Sequence, residues 1–305
     1  MTPTKAGIER LPRRGGRPPI DLHVHVGPEL LARRYTAREI AEEADAAGFG
    51  CILKNHFIPT TGLASEARAH RPVTILGGIV LNYAVGGLNP HAIRAALSAN
   101  KGTSRNRAPD PVSFMVWMPT IHAESHLRHN GRRDLVPSWG VDERYCQVFP
   151  PGTELAPAVH EVLDLIRADD LILASGHLSA PEVMALVAAA HDRGIRRIVI
   201  THPFYGATEL SVREQAALTE RDGVYLEHCY SNLEMDQIPI ERYVESIREA
   251  GPRRVILSTD LGQPHNPTVT EGIRDFFRRL QAKGMSEDDL LTMLVDNPHR
   301  LVGLP

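Results

Sequence analysis

Eight short apolar runs, each followed by a longer stretch of helical period, cover the sequence from residue 20 onward. The runs are PPIDLHVHV, CILKNHF, VTILGGIVLN, VSFMVWMPT, LILASGH, IRRIVITHP, VYLEHC and RRVILSTDLG. The stretches between them include TAREIAEEADAAGFG, whose apolar positions recur at helical spacing and which ends on glycine. Strand–helix alternation of this kind needs right-handed crossovers and yields a parallel sheet. Eight units within residues 20–305 predict an α/β chain folded as a single-domain (β/α)8 TIM barrel, preceded by a loose N-terminal arm at 1–19. A doubly wound open sheet is the rival. It lacks support because no glycine-rich turn follows the first strand to hold a nucleotide phosphate. Residues 121–151 are irregular and too long for an ordinary connection, which predicts a lid or active-site loop after strand four.

The overall balance excludes some classes of partner. A net charge of −3 gives no field that would favour nucleic acid or an anionic membrane. No apolar run approaches the roughly 18–20 residues that span a bilayer. The N-terminus is basic but has no apolar core of a secretory signal. Three widely spaced cysteines, Cys51, Cys146 and Cys229, suggest neither a disulfide framework nor a zinc knuckle. A cytoplasmic protein acting on a small molecule is expected, with a homo-oligomer allowed but not demanded.

Chemistry in a barrel of this type sits at the C-terminal ends of the strands. There the chain places His23 and His25, Lys54 and His56, His177, His202, the pair Glu227 and His228, and Asp260. His122 and His126 follow strand four in the long loop. Residues i and i+2 of a strand share a face, so His23 and His25 should both point into the barrel mouth. Two imidazoles that close can share one cation. Neutral imidazole with carboxylate suits zinc, manganese, nickel or iron. Of Glu227 and His228 only one should face inward. Each strand-end residue also has a plainer use: His177 as a helix cap, His202 as a turn residue before proline, Asp260 as an N-cap. A lysine such as Lys54 inside an apolar strand can pair with a carboxylate, bind a substrate anion, or be carboxylated and bridge two metals.

Taken in order, DLHVH on strand one, GH after strand five, THP after strand six and STD on strand eight resemble the amidohydrolase superfamily of metal-dependent hydrolases. The closing LLTMLVDNPHRLVGL is similar to that superfamily's final helix, so the likeness spans about residues 20–304. The resemblance implies that His23, His25 and Asp260 hold one divalent metal, with zinc first in line. It implies that His177 and His202 hold a second metal or complete a single site, for one or two metals per chain. It also implies that Asp260 takes a proton from the metal's water and passes it to the leaving group. Many binuclear members carry a bridging lysine or glutamate at the end of strand four. MVWMPT has neither, and Lys54 on strand two is the substitute in reach. Only about 19 residues precede strand one, so no small β-sandwich domain is expected and the likeness is nearer to the single-barrel members.

The expected reaction is hydrolysis of an amide, cyclic amide, lactone or ester. His56 and His126 would contact substrate, and Arg128, Arg132 and Arg133 of the long loop could reach a substrate carboxylate or simply be solvated. Three alternatives stand beside it. One is a nonoxidative decarboxylase or other lyase on the same scaffold. Another is a phosphoesterase of the polymerase and histidinol phosphatase type, which the surplus His56 and His126 would suit. The last is a metal-binding barrel without activity.

Overall fold

Nine parallel strand segments carry the chain: β1 (Ile20–His25), β2 (Gly50–Lys54), β3 (Ile75–Leu76), β4 (Gly78–Val80), β5 (Met115–Trp117), β6 (Ile172–Ala174), β7 (Ile198–Thr201), β8 (Val224–Cys229) and β9 (Val255–Ser258), among the described residues. The structure is a computed structural model and describes residues 9–101, 113–130, 146–148 and 154–305. Strands pair in the orders β1-β2-β3 and β4-β5-β6-β7-β8-β9. The third expected strand is therefore present in two pieces, β3 and β4. The break is at Gly77, where a Cβ would lie 2.6 Å from the Thr61 Cα, so the backbone passes too close for any side chain. At the other end of the order, Val24 bridges Leu261 in parallel and the His25 amide donates to the Leu261 carbonyl at 2.8 Å. The last strand's extension thus lies beside the first, an arrangement that fits a TIM-like barrel.

Helices connect the strands: α1 (Ala37–Ala47), α2 (Thr61–His70), α3 (Pro90–Lys101), α4 (Glu124–Asn130), α5 (Pro157–Ala168), α6 (Ala180–Asp192), α7 (Val212–Thr219), α8 (Ser231–Glu234), α9 (Ile240–Ala250), α10 (Val269–Ala282), α11 (Glu287–Leu291) and α12 (Asn297–Val302). The first shows how the sequence sets them. The Thr36 hydroxyl accepts from the Glu39 amide, and the Glu39 carboxylate returns to the Thr36 amide, which closes a capping box. Ile40, Ala41, Ala44 and Ala47 then bury one face, and Gly48 ends the helix in the left-handed region at φ 77°.

The core has two shells. Leu22, Ile52, Met115, Trp117, Ile172, Val199 and Ile256 form an inner cluster, every one of them from a strand. A larger outer cluster lies between strands and helices and includes Val24, Leu53, Val116, Leu173 and Ile200. Neighbours along each strand alternate between the shells, as a period of two requires. Each buried aliphatic side chain contributes about 1.5–3 kcal/mol. Leu301 and Val302 of α12 join the inner cluster.

Strand β1 departs from strict alternation. Its register against β2 shifts between Asp21 and Val24. Ile20 and Leu22 belong to the inner cluster, whereas Val24 and Val26 belong to the outer one. The shift leaves His23 and His25 above the inner cluster. A bulge that re-aims side chains beside a site is a recurring device.

Of the arm, residues 9–19 are described. Leu11 is buried in the outer cluster, and Arg14 and Arg17 both pair with Asp296. These contacts tie this part of the arm to the barrel. The irregular loop contains a helix that the sequence pattern does not announce, α4. The exposed Arg128 pairs with Glu124 one turn earlier along it. Residues 131–145 and 149–153, with Arg132 and Arg133, lie outside the described residues, and so does most of the expected lid. Among the described residues no helix is long and apolar enough to cross a membrane.

Candidate functional site

At the C-terminal ends of β1, β2, β6, β7 and β8, and just past β9, polar side chains replace the inner apolar cluster. His23, His25, Lys54, His56, His126, His177, His202 and Glu227 are all buried there, and Asp260 is nearly so. The centre is a convergence on one oxygen. Asp260 Oδ1 lies 3.0 Å from His23 Nε2 and 2.9 Å from His25 Nε2. The Ser231 hydroxyl donates to its other oxygen at 2.8 Å. His202 and Asp260 both have left-handed backbone, at φ 27° and 52°, which non-glycine residues adopt at a cost of order 1–3 kcal/mol each. Strain at two strand ends that face one cavity is characteristic of sites held for chemistry.

The surroundings fix the tautomer of His23. Its Nδ1 faces the Glu227 carboxylate at 3.2 Å, so Nδ1 carries the proton. Nε2 is then a lone pair, and the Lys54 ammonium donates to it at 2.8 Å. The same lone pair faces the Asp260 oxygen, acceptor against acceptor. Only a second proton on the ring or a cation between the two groups satisfies that contact.

Electrostatics lead to the same conclusion. Burial would lift the Asp260 carboxyl, but the His23 and His25 rings outweigh it and hold Asp260 well below the usual carboxylate range. Burial opposes charge on His23 as well, yet the Asp260 carboxylate beside it raises its pKa. Burial pushes His25, His56 and His177 well below the usual imidazole range, and His202 to about 3. Burial also lowers Lys54. The neutral imidazoles of His25, His56, His177 and His202 beside an ionised carboxylate are the donor set of a divalent transition metal, and a cation would take the place of the extra proton that Asp260 favours on His23. His25 Nδ1 and His202 Nδ1 are buried without a partner among the described residues. The residues therefore fit a cation at His23, His25 and Asp260.

Two further groups lie in the same cavity. His56 is 4.9 Å from His25 between ring centroids, and its Nδ1 meets the Thr120 hydroxyl at 2.8 Å. His126, brought in by α4, has its Nδ1 2.8 Å from His177 Nδ1 and 2.9 Å from the Tyr205 hydroxyl. The ring of His202 is 4.9 Å from that of His177 and 5.9 Å from that of His23. The structure thus brings together His23, His25, Lys54, His56, His177, His202, Glu227 and Asp260 of the strand-end residues that the sequence marks. His228 points away, stacked on Tyr243 and bonded to the Ser246 hydroxyl at 3.0 Å. His122 also lies apart, its ring edge against Tyr83.

Several residues of the site carry no sequence signal that singles them out. Trp117 underlies His23 at 6.0 Å, with the Lys54 ammonium 5.5 Å from its ring. Tyr205 sits in a turn, where no periodicity gives direction. Ser231 opens the short α8. Asp21 accepts from the Thr259 hydroxyl at 2.5 Å and from the His23 amide at 3.0 Å, which ties β1 to β9. Glu29 comes within reach of His25 and His56, but both its oxygens are taken by Arg33, at 2.7 and 3.0 Å. Open clefts of about 550 Å³, lined by Ser125, His129 and Ser179, and 650 Å³, lined by residues of α1 and α2, contain none of these strand-end histidines.

Parallel strands wound with helices, with imidazoles and an acid converging at the strand ends, define a TIM-like α/β fold with a candidate metal site. Residues 19–227 match a family described as "Family of unknown function (DUF6282)", and the chain belongs to it. No curated protein sequence matches. Solved structures do. A probable 2-pyrone-4,6-dicarboxylic acid hydrolase from Acinetobacter baumannii, with citric acid bound, is 15% identical over 94% of this chain and 99% of its own, with a TM-score of 0.59. An organophosphorus hydrolase from Deinococcus radiodurans is 14% identical over 94% of this chain and 92% of its own, at 0.56. Amidohydrolase 2 from Bifidobacterium longum subsp. infantis is 14% identical over 95% and 100%, at 0.53. The chain shares the fold of these amidohydrolase-type enzymes.

Proposed function

We propose that the chain is a metal-dependent hydrolase of a small molecule, built on a complete eight-stranded barrel. The observation that carries this reading is the approach of two imidazole Nε2 atoms to a single Asp260 oxygen, at 3.0 and 2.9 Å. His23, His25 and Asp260 would hold the first cation, with zinc as the first candidate and manganese, nickel or iron as alternatives. His177 and His202 would face a second. A divalent cation bound there would lower the pKa of a water toward neutrality and polarise the bond to be cleaved.

The chain's own residues divide the remaining work. Asp260 is ionised, with Ser231 on its second oxygen and the two imidazoles against its first, and this carboxylate would take a proton and return it to the leaving group. Glu227 keeps the proton of His23 on Nδ1. Lys54 joins the metal ligands only if carboxylated; as an ammonium it would neutralise charge developing on substrate oxygen. His56, fixed through Nδ1 by Thr120, would direct its other nitrogen to substrate. The bond cleaved is an amide, cyclic amide, lactone or ester. The fold shared with a pyrone dicarboxylate hydrolase and an organophosphorus hydrolase supports hydrolysis of a small molecule in this cavity.

A phosphoesterase with a third cation has less support. The group that would supply it, His25, Glu29 and His56, has its carboxylate engaged by the Arg33 guanidinium. The test is a panel of lactones, cyclic imides, amides and aryl phosphates, with carbon dioxide release from unsaturated acids followed in parallel. Hydrolysis of a carbonyl substrate that falls about 10²–10⁴-fold in Asp260→Asn, with most metal retained, is the expected result. Full activity in that variant would remove Asp260 from the proton transfer. Carbon dioxide release without hydrolysis would replace the hydrolase with a lyase.

A further inference from the structure

We propose that His126 is a protein ligand of the second cation, paired with His177 through facing Nδ1 atoms, and that this site takes a borderline transition metal such as zinc. The inference rests on the metal-dependent reading above and assigns to a metal a residue first expected to touch substrate.

The argument is one of crowding at a single nitrogen. An imidazole Nδ1 offers one valence, either a proton or a lone pair. His126 Nδ1 has two close polar neighbours, His177 Nδ1 at 2.8 Å and the Tyr205 hydroxyl at 2.9 Å, while the Asn130 amide lies 3.3 and 3.2 Å from Nδ1 and Nε2 and singles out neither. Burial keeps Tyr205 a phenol, and the Asn130 amide donates to its oxygen, so its proton is directed at His126. His126 Nδ1 then acts as a lone pair. If His177 also presents a lone pair, two acceptors face each other at 2.8 Å. If His177 presents a proton, two donors compete for one lone pair.

A cation between the rings removes the conflict. It would take both lone pairs, with the Tyr205 hydroxyl rotating its proton away from His126. Nitrogens about 2.0–2.1 Å from a tetrahedral centre lie about 3.3–3.4 Å apart, so the rings, now 2.8 Å apart at Nδ1, would open by about half an ångström to take one metal. Both histidines are buried, at 5% and 8% exposure. The His202 ring is 4.9 Å from that of His177, and its buried Nδ1 has no partner among the described residues.

The placement of His126 is not accidental to the fold. It lies on α4, and the Ser125 hydroxyl beside it donates to the His177 carbonyl at 2.5 Å. The helix is thereby fastened to the end of β6, and the two imidazoles are brought into register. A site of imidazoles without a carboxylate discriminates by softness: it favours zinc, nickel or copper over magnesium and manganese. The first site, with Asp260, is less selective.

The experiment is a calorimetric titration of metal-stripped protein with zinc alone, repeated with magnesium. Two equivalents of zinc are expected in the unaltered chain, and one in both His126→Ala and His177→Ala. Arg128→Ala, exposed on the same helix, should keep two. Magnesium should not fill the second site. His126→Gln, closer in shape, guards against a folding defect, with circular dichroism as the check. Zinc uptake unchanged in number and affinity in both His126 variants would overturn the assignment. One equivalent lost in His23→Ala and kept in His126→Ala would overturn it too, while leaving the hydrolase reading intact. No zinc uptake by the unaltered chain would overturn both.

Discussion

Glu227 is placed to tune the proposed metal centre without itself touching the cation. Its side chain is fully buried and faces the Nδ1 of His23 at 3.2 Å. Burial would raise its pKa, but the charge and hydrogen bond of His23 outweigh it, so it stays a carboxylate. A carboxylate on the outer nitrogen fixes ring orientation and makes the inner one a better ligand. Glu227→Gln keeps the shape and loses the charge, and should weaken binding of the first cation about 10–100-fold. Calorimetric titration reads this directly; unchanged affinity would reduce Glu227 to packing. The alternation in VYLEHC shows that only one of Glu227 and His228 can face inward, but not which. That choice depends on strand register, which parallel neighbours set and local sequence does not. His23 and His25 were legible because they lie two apart on one strand, whatever the register. Tyr205 and Asn130 were not, because a turn and a seven-residue helix give no period long enough to fix a direction.

Among the elements, the helices are the most readable part of the chain, because their ends are written in short polar motifs. Thr36 with Glu39, Ser211 with Glu214 and Thr268 with Glu271 each close a capping box. Hydrogen bonds from the Thr36 amide, the Ser211 hydroxyl and the Thr268 amide, respectively the leading causes, lower the pKa of each glutamate. A carboxylate whose folded pKa is depressed stabilises the fold above its unfolded pKa, and loses that contribution as pH falls through the folded value. Glu271→Ala should therefore cost about 0.3–1 kcal/mol at pH 7, and little at a pH below the folded value. Urea denaturation at both pH values measures the difference; an equal cost at both would show that charge is not the cause. Strands were legible in number but less so in extent. The run VTILGGIVLN reads as one strand, yet packing against Thr61 breaks it at Gly77. Helix α4 was hidden because its seven residues hold a short pattern inside a polar stretch.

For the whole molecule, the decisive contact is the one that sets the end of the order beside its beginning. The pairing of Val24 with Leu261 and the hydrogen bond from His25 to Leu261 bring Asp260 against the two histidines of β1. Gly262 makes this approach possible: its φ is 132°, and a Cβ there would lie 2.1 Å from the His25 carbonyl oxygen. Gly262→Ala should destabilise the fold by about 3 kcal/mol and weaken metal binding together, as the melting temperature and a zinc titration would show. Loss of stability with full metal affinity would separate the closure from the site. The barrel-like plan was readable from strand–helix alternation, since that pattern leaves few topologies. The contacts behind the site residues were not, because they join residues from distant elements, such as Glu227 with His23. The measurement that tests the account most directly is metal content per chain, by elemental analysis of protein purified without chelators, beside His23→Ala. About one or two divalent transition metals per chain, with at least one lost in the variant, is the predicted result. No metal even after reconstitution, or the same content in the variant, would contradict it.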